Sequence, residues 1–180
     1  PGNAGRLAQF LRTDDHPCVV YVGKLSHEKG VPLLVDVLTE LDFRAVVVGF
    51  GPARAAAQAA AGDRILFTGP LQHRHLRYLW PLMDVSVVPS VFPEAFGMVA
   101  AEAAACGCPP LVADHSGLAE VAAGLRRFYP PGLRDIATFP GGDAPALARK
   151  LQLYAGLDPS QRAELAAAAR VAVVELWCWD

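Results

Sequence analysis

Two carboxylates, Glu94 and Glu102, lie eight positions apart in the stretch VVPSVFPEAFGMVAAEAAACGCPPLV, residues 87–112. Glu94 sits in a loop after an apolar run that ends in Pro89-Ser90. Glu102 is the one charge among Ala100, Ala101, Ala103, Ala104 and Ala105. If a helix begins near Phe96, Glu94 precedes its first turn, where free N–H groups favour a carboxylate. The amides of Phe96, Gly97 and Met98 then point at whatever sits above, and Gly97 leaves that approach clear. Two ionised acids beside a diphosphate are unfavourable unless each accepts hydrogen bonds from neutral hydroxyls. Sugar hydroxyls are such donors, so one carboxylate can hold a hexose and the other a ribose. Spacing alone leaves a second reading open, with Glu94 compensating a helix dipole and Glu102 facing solvent.

Cations occur in the loop GKLSHEKG, residues 23–30, where Gly23 opens the loop and Lys24 and Lys29 flank its middle. Cations at a strand-to-helix loop suit a diphosphate, and the helix N-terminus adds its dipole. A solvated charged loop is the alternative. The order of a phosphate-binding P-loop is absent. Gly49-x-Gly51 in GFGPAR resembles a dinucleotide fingerprint, but the third glycine position is Arg54 and no acid lies near position 70. NAD or FAD is therefore not expected.

No metal is expected. Cys106-Gly-Cys108 has the wrong spacing for a zinc knuckle, no His–Cys cluster supports the four cysteines, and no Asp-x-Asp pair occurs. The cysteines read as buried free thiols in a reducing cytoplasm. His73, His75 and His115 have no partner nameable from the sequence, although His115 follows a strand and could touch a ligand. Trp80 reads as core, and Trp177 and Trp179 as packing near the terminus.

The elements that must position these residues alternate. Apolar β-branched runs at 17–23, 44–49, 64–69, 84–90 and 109–113 read as strands, with a weaker sixth at RRFYP, 126–130. Helical patterns lie at 29–41, 52–62, 73–83, 97–107 and 117–123, and two more helices within 143–178 are separated by GLDPS, with Ser160 or Asp158 as N-cap. The Pro/Gly-rich segment 128–145 has no assigned role. Alternation of this kind predicts a doubly wound, Rossmann-like parallel sheet of about six strands with helices on both faces. Such sheets bind ligands beyond the carboxyl ends of their strands. The loops that carry Lys24, Lys29, Glu94 and His115 lie there.

The chain of 180 residues is 53% hydrophobic and 19% charged, so a buried core is easily built. A net charge of −2 with scattered basic residues gives no nucleic-acid face and no polybasic membrane patch. No apolar run approaches the roughly 20 residues of a transmembrane helix. The first residues lack the pattern of a signal peptide.

The stretch VPSVFPEAFGMVAAEAAACGCPPLVA resembles the Glu-x7-Glu signature and following A-x-G-x-P segment of the group-1 retaining glycosyltransferases, built from two facing Rossmann-like domains. VVYVGKLSHEKG, VVVGFGP, ILFTGPL and RYLWPLMDVSVVPS match in order and spacing. The resemblance covers nearly the whole chain, residues 1–180, and is to the C-terminal, donor-binding half. It implies a UDP- or GDP-linked sugar as substrate, no cofactor, and hexose transfer with retention. Glu94 would hold sugar hydroxyls with the amides of Phe96, Gly97 and Met98, and Glu102 the ribose. Lys29 would meet the diphosphate. Lys24 stands where the family more often has Arg, which keeps the charge but loses the bidentate fork. Leu71 falls where backbone meets the nucleobase, and Ser116-Gly117 where two small residues face the donor. The N-terminal acceptor half would be missing, and this half alone would not turn over. A non-catalytic nucleotide-binding module of the same fold is the alternative. A nucleotide-sugar epimerase lacks the match at PEAFG.

Overall fold

The computed structural model describes residues 3–11, 17–41 and 43–178. Trp179 lies outside the described residues. Six parallel strands form one sheet: β1 (Cys18–Val22), β2 (Arg44–Val48), β3 (Ile65–Gly69), β4 (Val85–Val88), β5 (Pro110–Ala113) and β6 (Thr138–Phe139). Their spatial order is β3-β2-β1-β4-β5-β6. The order reverses between β1 and β4, the point at which a sheet of this kind offers a crevice at the carboxyl ends of its strands.

The strands are continuous apolar runs because both of their faces are covered. On β1, Val19 and Tyr21 join one buried cluster while Cys18 and Val20 join the other. On β2, Ala45 and Val47 face the first cluster and Val46 and Val48 the second. The period of two thus supplies two cores. The first is closed by helices α2 (Val31–Glu40), α3 (Arg54–Ala60), α6 (Ser116–Arg126), α7 (Ala144–Ala155) and α8 (Pro159–Trp177). The second is closed by α4 (His73–Leu79), whose Leu76 and Leu79 are buried beside Trp80, and by α1 (Asn3–Leu11) through Leu7, Phe10 and Leu11. Helix α5 (Met98–Ala105) serves both, with Ala100 and Ala104 in one cluster and Ala103 in the other. Its small side chains let it lie close to the sheet.

Several expectations change. RRFYP is not a strand. Helix α6 continues to Arg126 because Leu118, Val121, Ala122 and Leu125 keep helical spacing and are all buried. Tyr129 then enters the core as a single ring, 1% exposed. The sixth strand is Thr138–Phe139, inside the segment left without a role, and pairs with Val112 and Ala113. Two residues are too short for any periodicity to reveal. Helix α1 was not anticipated. Helix α4 tightens into a 3-10 turn at Trp80–Leu82, where Pro81 withdraws an N–H from the helix. The N-cap of α8 is Asp158, which forms a capping box with Gln161. Of the cysteines, Cys18 and Cys108 are buried, but Cys106 is half-buried and Cys178 exposed. Trp80 is core, as expected, and Trp177 stacks edge-on against Phe96 at 5.6 Å. Among the described residues no helix is long and apolar enough to cross a membrane.

Candidate active site at the sheet reversal

The loops after β1 and β4 meet backbone to backbone. Gly30 adopts φ 69° at the start of α2, and a Cβ there would lie 1.9 Å from the Pro89 carbonyl oxygen. The Glu28 carbonyl accepts from the amides of Val91 and Phe92, at 2.9 and 3.2 Å. This contact sets Lys29 opposite Glu94. Lys29 Nζ donates to Glu94 Oε1 at 2.8 Å, and the buried Ser90 hydroxyl donates to the same oxygen. Among the described residues no donor meets Oε2.

The carboxylate of Glu94 therefore does not cap α5. That helix starts at Met98 rather than Phe96, its N-cap is Gly97 at φ 85°, and no side chain caps it. An ammonium and a hydroxyl in direct reach hold the carboxylate away from the helix end. The first N–H groups of α5 consequently stay available. Gly97 is needed for space as well as for its backbone angle, since a Cβ would lie 2.5 Å from Leu118 Cδ2.

The main chain of Glu94 is fixed from the far side. Its N–H donates to Ser116 Oγ at 2.9 Å and its carbonyl accepts from the Gly117 amide at 2.9 Å. The Ser116 hydroxyl is thus turned onto Glu94.

A cavity of about 160 Å³ is lined by Gly23, Lys24, Lys29, Ser90, Glu94 and Gly97, with Tyr21, Val22, Val88 and Val99. A second, of about 220 Å³, shares Val22, Gly23 and Lys24 as a wall and adds Gly49, Phe50, Pro70 and Leu71. Lys24 is exposed. The Tyr21 hydroxyl donates to the Lys24 carbonyl at 2.8 Å and shapes this wall; burial pushes its pKa up, as does the Glu94 charge.

The side chains of Glu102, Phe96 and Met98 border a different cavity. They line a larger cavity of about 590 Å³ with Ala101, Val173, Leu176 and Trp177, which holds no cation. Glu102 faces His73, with Nε2 3.2 Å from Oε1, so neither is without a partner and Glu102 does not simply face solvent. Burial raises the Glu102 pKa, and His73 partly opposes this. The structure thus gathers Gly23, Lys24, Lys29, Glu94 and Gly97, sets Leu71 next door, and leaves Glu102 apart. The charged smaller cavity, not the apolar larger one, has groups able to hold a diphosphate and to accept from hydroxyls. Sequence reasoning missed Ser90; its signal was a hydroxyl directly after a buried strand.

The family model for glycosyl transferases group 1 matches residues 7–170. A D-inositol 3-phosphate glycosyltransferase of Xylanimonas cellulosilytica is 34% identical over 171 residues, covering 88% of this chain and 38% of the relative. A GDP-mannose-dependent alpha-(1-6)-phosphatidylinositol dimannoside mannosyltransferase of Mycobacterium tuberculosis is 37% identical over 123 residues, covering 64% of this chain and 32% of the relative. Sucrose-phosphate synthase from Thermosynechococcus elongatus superposes with a TM-score of 0.80 at 30% identity, over 98% of this chain and 45% of that one. Anabaena Alr3699/HepE in complex with UDP and glucose superposes at 0.77 over 96% of this chain and 47% of its own, with 21% identity, a likeness of fold alone. The chain spans less than half the length of each. By its sequence and by the sheet that carries its charged crevice, the chain belongs to the group 1 glycosyl transferases.

Proposed function

We propose that this chain is the donor-binding half of a retaining hexosyltransferase that takes a UDP- or GDP-linked sugar. The observation that carries the reading is the state of Glu94 at the sheet reversal. Its Oε1 is held by Lys29 and Ser90, and its Oε2 is left to accept from a ligand hydroxyl. Two lysines and an uncapped helix N-terminus border the same cavity. Sugar, diphosphate and helix amides then have complementary partners within one crevice.

In the proposed reaction the bond between anomeric carbon and diphosphate breaks, the anomeric carbon bonds to an acceptor hydroxyl with its configuration retained, and the hydroxyl's proton passes to the departing diphosphate. Negative charge grows on the departing diphosphate. Lys24, Lys29 and the first amides of α5 stabilise that charge in place. Glu94 orients the sugar ring rather than taking a proton. Leu71 and Pro70 border the base. Glu102 would reach a ribose only if the ligand extends over α5 toward His73. Neither a cofactor nor a metal has a role in this scheme. The acceptor would be held by a further domain facing these loops.

The name of one relative supports the donor class: it is GDP-mannose-dependent. The test is calorimetric titration of the chain with UDP, GDP and ADP, each bare and as its glucose or mannose conjugate. One base should bind, and its sugar should tighten binding in a manner lost in Glu94→Ala. Equal binding of conjugate and bare nucleotide would overturn the role of Glu94. Nucleotide binding without transfer by the complete protein would favour a non-catalytic module.

A further inference from the structure

The ring of His115 touches the site through groups that the scheme above does not use. His115 follows β5, and Nε2 lies 2.6 Å from the carbonyl oxygen of Ser90 in the loop after β4. A carbonyl only accepts, so Nε2 carries the hydrogen. In the neutral ring Nδ1 then has a lone pair, and it lies 3.0 Å from Ser116 Oγ. The Ser116 O–H donates to Nδ1, which leaves the lone pairs of Oγ for the Glu94 N–H at 2.9 Å. Each donor in this chain has one acceptor.

The ring thereby holds the segment 90–94 at both ends. At one end it grips the Ser90 carbonyl, and the same residue gives its hydroxyl to the Glu94 carboxylate. At the other end it orients the hydroxyl that receives the Glu94 amide. Two further features fit a built arrangement. Ser116 sits at φ 49°, a conformation that is unfavourable for a non-glycine residue and persists where surroundings impose it. The ring is also backed by the loop after β6: a Cβ on Gly141 would lie 2.7 Å from His115 Cδ2. Three strand-end loops therefore meet on one imidazole.

We propose that His115 is a positioning residue for Glu94, acting through Ser90 and Ser116 to set the carboxylate toward the sugar of the donor. This rests on the donor-binding reading for what Glu94 does, but not for how Glu94 is held. His115→Phe keeps the ring volume and removes both hydrogen bonds. His115→Gln retains a donor able to reach the Ser90 carbonyl.

The experiment has two readouts on the same proteins. The first is hydrogen exchange at the Glu94 amide, read by NMR, against Val20 and Val46 in the sheet as controls. The second is titration with UDP-glucose, GDP-mannose and the bare diphosphates. In His115→Phe the Glu94 amide should exchange at least about tenfold faster, with the controls unchanged, as expected when a hydrogen-bonded partner is lost. Affinity for the nucleotide sugar should fall roughly tenfold, that for the bare diphosphate should stay within about twofold, and His115→Gln should recover part of the loss. Unchanged exchange at Glu94 overturns the proposal whatever the ligands do. An equal loss for sugar conjugate and bare diphosphate also overturns it, because a simple loop staple would act that way. If wild type binds no nucleotide sugar, the donor reading fails while the exchange result still decides the clamp. If His115→Phe does not fold, His115→Gln and Ser116→Ala carry the same exchange readout.

Discussion

Lys29 and Glu94 stand 65 positions apart in the chain, yet Nζ and Oε1 are 2.8 Å apart across the crevice. The side chains are 38% and 18% exposed, so the pair is partly shielded from water but remains open to a ligand. Its net contribution to stability is small for that reason. Its consequence is geometric. The ammonium that would meet a diphosphate and the carboxylate that would meet a sugar each hold the other in place before any ligand arrives.

Glu94→Ala releases Lys29 while removing the acceptor for sugar hydroxyls. Affinity for the bare diphosphate should therefore be kept or raised, and the added affinity from the sugar should be lost. Lys29→Met should do the reverse and weaken the bare diphosphate. A hydrogen-bonded partner left unmet costs about 1–3 kcal/mol, so each loss should be roughly 5- to 150-fold. Paired calorimetric titrations of the two variants check the opposite signs.

Gly30→Ala should be among the most damaging single substitutions. The added methyl would meet the Pro89 carbonyl oxygen at 1.9 Å, and alanine is strained at φ 69°. Backbone against backbone cannot yield cheaply. The left-handed conformation alone costs about 1–2 kcal/mol, and the clash adds to it. Urea unfolding should show a midpoint well below wild type. In soluble material Lys29 should lose its register with Glu94.

Ser116 separates strain from hydrogen bonding. Ser116→Gly relieves the φ of 49° but removes the acceptor of the Glu94 amide. Ser116→Ala removes the acceptor and keeps the strain. The glycine variant should be more stable than the alanine variant by about 1 kcal/mol in urea unfolding. Both should lose sugar-dependent affinity, which a contribution of Ser116 to stability alone would not produce.

Glu102 sets a pH dependence. Burial raises its pKa in the folded protein, with His73 as a lesser opposing influence. The folded state then holds the proton more tightly than the unfolded chain, so stability from this group falls as pH rises from the ordinary carboxylate range through the raised value. Glu102→Gln removes that cost. Its thermal midpoint should exceed wild type at neutral pH, by roughly a degree or two. The difference should vanish in acid, below the ordinary carboxylate pKa. A difference that persists in acid would show that packing, not charge, is responsible. The exposed His73 partner contributes little in either case.

The alternation of apolar runs and helical patterns was enough to place five strands and the helices that separate them, because strands buried on both faces and helices with one buried stripe leave distinct periods. The loops that carry chemistry followed from that placement. The sixth strand escaped because Thr138–Phe139 has two residues and no period. RRFYP misled because Phe128 and Tyr129 look like strand residues, while Leu125 belongs to the helical stripe that precedes them. At the site, Glu94, Lys24 and Lys29 were legible as residue types. The capping role considered for Glu94 was not the outcome, since a side chain chooses among donors by distance, and Lys29 and Ser90 are nearer than the helix end.

By itself the sequence determined the class of fold, the family and the set of charged groups available at strand ends. These depend on periodicity, glycine placement and local order, which are written along the chain. The tertiary structure alone decided which of those groups meet. Parallel strands return through crossovers of many residues, so neighbours at the crevice are distant in sequence: 29 with 94, and 115 with 90. The order of strands sets those pairings, and that order belongs to the assembled sheet rather than to any local stretch of the chain.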